Sequence, residues 1–373
     1  MAETTTNSAL VVKQWDDNFF AEYIRDNRFS RYMGTDENSV IQIREDLTKK
    51  KGDQVTLPFV GRLDASQAAT GNDVLEGAEQ VLDNYGFAIP VDVQRTAVVV
   101  TEWEEQKSAI EIRNAARMML KSWAMERMRG GSGASSKFGI IDNLQAIYDG
   151  TTYSLYADAT TGAKNSWVVN NSDRVLFGTT VANYNATFAT AFGNVDNTAD
   201  KLSPGIVSLA KRIAKTADQH IRPVKTNEEE EWYTLFVTSQ AFRDLKTDST
   251  MTTANREGWQ RYDGAARTGG SGTNPLFRDS DLVYDGVIIR EIPEWQSVSN
   301  GSINCCIGAL CGAQAAGVVW AQRTQSRVNQ QGGSDYGFRH GVGVQEIRGA
   351  RKLFFNNKQN GVVSVFVASV ADA

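Results

Sequence analysis

Two histidines, three cysteines and a scatter of carboxylates are the side chains of this 373-residue chain that could serve catalysis or metal binding. An enzyme needs a nucleophile beside a base, converging carboxylates, a metal cluster or a phosphate-cradling loop. With only His220 and His340, a His-rich metal site is excluded and a Ser-His-Asp arrangement has few options. Neither histidine lies near a Gly-x-Ser-x-Gly turn. His220 stands just past an amphipathic stretch and before Ile221-Arg222-Pro223, a place for a structural or surface role. His340 falls in the glycine-rich run Tyr336-Gly337-Phe338-Arg339-His340-Gly341, which reads as a loop where it would serve a turn or a contact. Cys305, Cys306 and Cys311 lack two paired ligand spacings and sit in an apolar stretch, so buried thiols are expected rather than zinc ligands. Gly130-Gly131-Ser132-Gly133 and Gly269-Gly270-Ser271-Gly272 do not carry the following Lys-Ser/Thr of a phosphate cradle and read as loops. The acidic run Glu228 to Glu231 abuts a strand and reads as a solvated turn, not a shaped cation loop. These residues give no catalytic group, no metal ligand set and no cofactor site. The rival reading is a carbohydrate-active hydrolase using Asp142, Asp149 or Glu346, with Asn, Tyr and Trp lining a glycan groove.

Composition points the same way. Hydrophobic residues make up 41% and charged residues 22%, ordinary globular usage, and the length allows two or three domains. The formal net charge of -5 provides no basic field for duplex binding, so sequence-specific nucleic-acid recognition is a poor expectation. A mildly acidic wall would suit enclosed DNA, because phosphate would not adhere to it through counterion release. Met1 to Leu10 is polar and Thr-rich, unlike a signal peptide, and no run approaches the ~20 apolar residues of a membrane span. The few clustered cysteines suit a reducing cytoplasm, which makes the Asn-x-Ser/Thr matches at Asn170, Asn185 and Asn300 chance.

The elements follow from patterning. Val11 to Leu47 mixes Trp15, Phe19, Phe20, Tyr23, Phe29 and Tyr32 with charges at helical spacing, an amphipathic helix within an extended arm. So many aromatics need a surface to cover, either this chain's core or a neighbouring subunit. Asp53 to Thr101 changes to strand patterning, with Pro58 and Pro90 favouring edges or strand ends. This reads as a long two-stranded projection, which is marginal alone in water and therefore argues for assembly. Thr101 with Glu104 forms a capping box, and the helix it opens runs from Glu102 to Arg129, where Gly130-Gly131 stop it. Ile140 to Asp200 is rich in Asn, Thr, Tyr and Ala and gives only weak signals. A helix opens at Ser203-Pro204, a buried strand covers Glu231 to Val237, and a helix follows at Ser239 to Leu245. Thr247 to Thr273 reads as a long loop. Strands at Leu282 to Ile292, Ile303 to Cys311, Ala315 to Ala321, Lys352 to Phe355 and Val362 to Val370 complete an α+β pattern without internal repeats.

Four segments of the last third then stand in a telling order: Asn274-Pro275-Leu276-Phe277, Tyr284-Asp285-Gly286-Val287-Ile288-Ile289-Arg290-Glu291, Gly312-Ala313-Gln314-Ala315-Ala316-Gly317-Val318-Val319-Trp320, and Glu346-Ile347-Arg348-Gly349-Ala350-Arg351-Lys352. In this order and spacing the chain resembles the major capsid proteins of tailed bacteriophages. The similarity extends to Asp173-Arg174-Val175-Leu176-Phe177-Gly178 and the helix after Leu202-Ser203-Pro204, covering about the last two thirds of the chain.

The resemblance implies the Hong Kong-97-type phage major capsid fold. Carried onto this chain, residues 1–51 would be the N-terminal arm and residues 52–100 the extended E-loop hairpin. Residues 101–200 and 323–373 would form the peripheral domain with its spine helix at 102–129, and residues 201–322 the axial domain. The implied partners are other copies, as hexamers and pentamers of a shell, with a scaffolding protein, portal and decoration proteins. Packaged DNA would lie near by non-specific proximity, and no membrane is involved. The virion capsid is the implied location, after assembly in the host bacterial cytoplasm. Trp15, Phe19 and Phe20 in the arm, Arg62 with Asp64 near the hairpin, and Arg113 and Arg117 on the spine helix are the expected inter-subunit contacts. No motif fixes a Lys-Asn cross-link of the kind some members form. No N-terminal scaffolding segment is recognisable, which favours a separate scaffolding protein. A phage tail-tube or adhesin subunit is a further structural alternative.

Overall fold

The computed structural model describes residues 28–48, 51–64, 70–71, 74–77, 79–107, 112–131, 137–225, 230–253, 281–328 and 338–369. Two sheets organise it. The first has five strands in the order Met33–Gly34, Ile41–Arg44, Ala316–Val328, Arg339–Lys352 and Asp92–Thr101. The second has eight, on the path Asp281–Tyr284, Val287–Glu291, Glu231–Val237, Asn304–Cys311, Val362–Ala368 and Val175–Phe177. Ser297–Ser299 joins it beside Asn304–Cys311, and Val224–Lys225 beside Glu231–Val237.

The central strands of the eight-stranded sheet are apolar on both faces because both faces are covered. Every residue of Val362–Ala368 is buried, as are the last five of Glu231–Val237. Helices Pro204–Thr216 and Ser239–Thr247 bring Ile206, Val207, Ala210, Ala241, Phe242 and Leu245 into the same core. Pro204 opens the first helix, and the Thr238 hydroxyl caps the second by accepting from the Ala241 N–H at 3.3 Å. The long helix Ile112–Arg129 lays Leu120, Ala124 and Met128 into this core as well.

Several expectations need correction. Leu282 to Ile292 is not one strand but a hairpin, reversing at Asp285 (φ 49°) and Gly286 (φ 69°). Asp-Gly suits such a left-handed two-residue turn, whose twist matches the flanking strands. The glycine-rich run around His340 is not wholly a loop. From Arg339 a 14-residue strand begins, with His340 opposite Val100 and Gly343 opposite Ala97. Strand Ala316–Val328 runs well beyond Ala321, so the expected border between residues 322 and 323 cuts through it. Val175–Phe177 and Val362–Ala368, expected in the peripheral domain, pair within the eight-stranded sheet alongside strands expected in the axial one. The strand Asp92–Thr101 belongs to the five-stranded sheet and not to the projection. The helix expected over 102–129 is described as Glu102–Lys107 and Ile112–Arg129, with residues 108–111 outside the described set. Most of the expected arm and of the loop Thr247 to Thr273 also lies outside it.

Candidate assembly interface

Strands Gln54–Val60 and Asn84–Pro90 pair antiparallel through seven positions, from Gln54 opposite Pro90 to Val60 opposite Asn84. They form a sheet of their own, so each strand has a free edge that tolerates Pro58 and Pro90. The root of this hairpin is packed: Leu57, Phe87 and Ile89 are buried, and Phe59 stacks on Phe355 with ring centroids 4.6 Å apart. Two glycines of the sequence motifs explain how close the root sits. A Cβ on Gly317 would stand 2.6 Å from Ile89 Cδ1, and one on Gly349 would collide with the Pro90 carbonyl. Gly317→Ala should therefore cost about 1–2 kcal/mol in a denaturant titration, against the near-neutral result of an ordinary surface change. Gln314 of the same motif adopts φ 56°, and Gly312 lies against the Arg222 carbonyl.

Beyond the root the hairpin becomes exposed and aliphatic. Val60, Leu63, Val74, Leu75, Val81 and Leu82 are all between 53% and 86% exposed. Beyond the paired strands Gln80 joins the two sides again, accepting from the Asp64 N–H at 2.7 Å and donating to the Asp64 carbonyl at 2.8 Å. Arg62 and Asp64 lie here, both exposed. Isolated surface apolar residues are ordinary; six of them lie within residues 60–82 of this projection.

On the helical side, the Thr101 hydroxyl caps Glu104 at 3.3 Å. Arg113 reaches back to Glu105 at 2.5 Å, and Arg117 donates to Asn114 at 3.1 Å. Both arginines thus have partners in their own chain. Met118 and Met119 are the strongly exposed apolar residues of the helix, at 71% and 68%, and sequence reasoning had not singled them out. Trp15, Phe19 and Phe20 fall outside the described residues. The structure brings Arg62 near Asp64 at the tip and Arg113 near Arg117 on the helix; it does not bring the two pairs into one site.

Groups with catalytic potential are engaged elsewhere. Glu346 is buried against Arg348 at 2.7 Å and accepts from Thr324 at 3.0 Å, while Arg348 donates to the Phe138 carbonyl at 2.6 Å. Asp142 accepts from the Gly131 N–H at 3.3 Å, just beyond the long helix. Asp149 accepts from the Thr152 and Thr151 N–H groups at 2.6 and 2.8 Å, which holds its carboxyl below the usual range. His220 Nδ1 lies 2.8 Å from the Ala217 carbonyl, and His340 Nε2 3.2 Å from Glu102. Burial pushes the thiols of Cys305 and Cys311 up to about 12 and that of Cys306 to about 11, unfavourable for a nucleophile. Among the described residues no group of three His, Cys, Asp or Glu side chains could hold a metal ion.

One buried group had no signal in the sequence. Lys352 is fully buried, donates to Gln359 Oε1 at 2.9 Å, and faces the rings of Phe354 and Trp167 at 5.3 and 5.8 Å. Burial lowers its pKa to about 7. Near the hairpin's root a cavity of about 510 Å³ opens between the Pro90–Asp92 corner, Arg127, Phe138, Tyr153 and Arg351.

A packed body holding out a two-stranded, aliphatic-tipped projection is built to work through contact with further protein. Comparison with known proteins gives this class its identity. Residues 3–370 match the phage capsid protein family, and the chain belongs to it. It is 26% identical to the major capsid protein of Pseudomonas phage KPP25, an alignment covering 95% of this chain and 94% of that one. Among solved structures, it superimposes on the cyanophage Pam1 capsid with a TM-score of 0.81 and 33% identity, over 100% of both chains. The capsid of Ralstonia phage GP4 shares the fold, with a TM-score of 0.68 and 21% identity over 93% of this chain and 92% of that one. The chain has the Hong Kong-97-type capsid fold and the role of a tailed-phage major capsid protein, a shell-forming component of the virion.

Proposed function

We propose that copies of this chain close as hexamers and pentamers into an icosahedral head around double-stranded DNA, each copy laying its hairpin across the next. The observation that carries this reading is the exposed aliphatic tip on a hairpin too thin to be stable by itself in water. Protrusions that overlap neighbours enlarge each contact beyond a standard patch, which a closed shell requires. The arm, with Trp15, Phe19 and Phe20, adds a second overlap, and Arg62, Asp64, Arg113 and Arg117 lie at or beside these contacts. Sheet membership supports a revised division. The five-stranded sheet with the long helix would be the peripheral part, and the eight-stranded sheet with its helices the axial part. The protein's work is structural rather than catalytic, and the shell assembles in the host cytoplasm with a scaffolding protein, a portal and decoration proteins. A net charge of -5 keeps the wall from binding the genome tightly.

Electron microscopy of the full chain, expressed with and without its neighbouring viral genes, tests the reading. Closed shells with hexamers and pentamers are expected in at least one condition; a monomer in both would overturn it. Replacing Phe19 and Phe20 by Ala should reduce shell yield about tenfold while leaving the subunit's denaturation midpoint within experimental error. Shells at the normal yield would remove the arm from the assembly.

A further inference from the structure

We infer that the open edge of strand Asp92–Thr101 pairs with the same edge of a second copy of this chain, antiparallel across a two-fold axis. The inference rests on the reading of the chain as a shell former and names a contact that involves neither the hairpin nor the arm. Asp92–Thr101 ends the five-stranded sheet, with Arg339–Lys352 on one side and no strand among the described residues on the other. One step past the last paired position, the Glu102 N–H donates to the Phe338 carbonyl at 3.0 Å. Antiparallel partners alternate between exchanging hydrogen bonds and not. The even-numbered residues 94 to 100 therefore bond to Arg339–Lys352, and residues 93, 95, 97 and 99 turn their N–H and C=O groups to the open side. The Asp92 carboxylate takes the Val93 N–H at 2.8 Å. Arg95, Ala97 and Val99 are left, their N–H groups without an acceptor among the described residues.

Sheet edges are ordinarily blunted by shortness, proline, lysine or a bulge. Met33–Gly34, Val175–Phe177 and Asp281–Tyr284, which end the sheets elsewhere, run for two, three and four residues, and the hairpin strands carry Pro58 and Pro90. Asp92–Thr101 has ten residues, no proline or lysine, and a pairing to Arg339–Lys352 without a register shift. The side chains of its odd-numbered residues are Val93 and Val99, 49% and 62% exposed, exposed Ala97 and the single charge of Arg95. Such an edge is a template for one more strand. The three free residues select the occupant. They are symmetric about Ala97, so a second copy laid antiparallel sets Ala97 opposite Ala97 and Arg95 opposite Val99 on both sides, completing about six hydrogen bonds. The smallest side chain then lies on the axis, and each arginine stem covers a valine. The two arginines stand four positions apart along the strands, roughly 13 Å, so no like charges face each other. An isologous contact of this kind closes by symmetry, as neighbouring copies in a closed shell require. The rival occupant is an extended segment of another protein, which needs no such symmetry.

A single cysteine on the full chain reads the axis. In shells of the Ala97→Cys variant, mild oxidation should convert most chains to a disulfide-linked dimer and nothing larger on a non-reducing gel, because hydrogen-bonded partners stand about 5.5 Å apart, within disulfide range. Cys305, Cys306 and Cys311 are buried and do not contribute. Val169→Cys, exposed on helix Thr161–Asn170, should leave single chains under the same treatment. Ala97→Pro removes one outward donor and spares the ladder to Arg339–Lys352, so shell yield should fall about tenfold at an unchanged urea midpoint. Intact Ala97→Cys shells without the dimer, or with no more of it than Val169→Cys gives, would overturn the edge pairing, as would wild-type shell yield from Ala97→Pro. No shells from the unaltered chain, with or without its neighbouring viral genes, would instead defeat the shell reading on which the inference rests.

Discussion

Arg348→Met should destabilise the subunit by roughly 3–5 kcal/mol, and Glu346→Gln by a similar amount, whereas the double variant Glu346→Leu/Arg348→Met should lie closer to wild type than either. Both side chains are fully buried, two strand positions apart and so on the same face of Arg339–Lys352. Removing one partner leaves the other with its desolvation uncompensated, while removing both takes away the cost together with the attraction. The pair also ties distant segments together. Thr324, donating to Glu346, lies past a register shift in the neighbouring strand, and the Phe138 carbonyl, accepting from Arg348, lies in the segment beyond the long helix. Urea midpoints of the four proteins measure the cycle. Single variants within about 1 kcal/mol of wild type would show that the pair is solvated in solution.

Raising the pH from 7 to 9 should stabilise the wild-type subunit by on the order of 2–3 kcal/mol, and Lys352→Met should abolish that rise. The folded state holds the Lys352 pKa near 7, below its ordinary value of 10.5, because the ammonium is desolvated among aromatic rings. Between those values the unfolded chain binds the additional proton, so stability is lowest at and below pH 7 and climbs as pH rises. The buried thiols act in the opposite direction. Unfolded cysteines ionise near pH 9 while Cys305, Cys306 and Cys311 resist to about 12, 11 and 12, so above pH 9 stability falls again. A maximum near pH 9 that moves toward neutrality in Lys352→Met is the expected signature, read from urea midpoints at each pH. A flat wild-type profile from pH 7 to 9 would mean that Lys352 keeps its proton through a solvent path.

The sequence disclosed those elements whose own residues decide them. Glu231–Val237 is a β-branched and aromatic run with one burial solution, and Thr101 with Glu104 marks a helix start independently of tertiary context. The Leu282–Ile292 reversal was legible in principle, because Asp285-Gly286 is a strong turn pair; the long apolar run around it hid the break. Arg339–Lys352 was harder. Its glycines at 341, 343 and 349 weaken strand patterning, and Gly349 is explained only by the approach of the Pro90 backbone from elsewhere in the chain. The aliphatic tip could have been found from Leu63, Val74, Leu75, Val81 and Leu82 standing amid polar residues. The root cavity could not, since its walls come from segments far apart in the chain and meet only after folding.

The close fit of the hairpin's root gives it the mechanics of a lever. Its fulcrum is set by Gly317, Gly349 and the Phe59–Phe355 stack, and its arm is about 20 Å long. A tilt of about 10° at such a fulcrum moves the far end by roughly 3–4 Å, the width of an atomic contact. An added methyl group at the root, which must push Ile89 or the Pro90 carbonyl aside, would therefore re-aim the far end of the hairpin as well as cost stability.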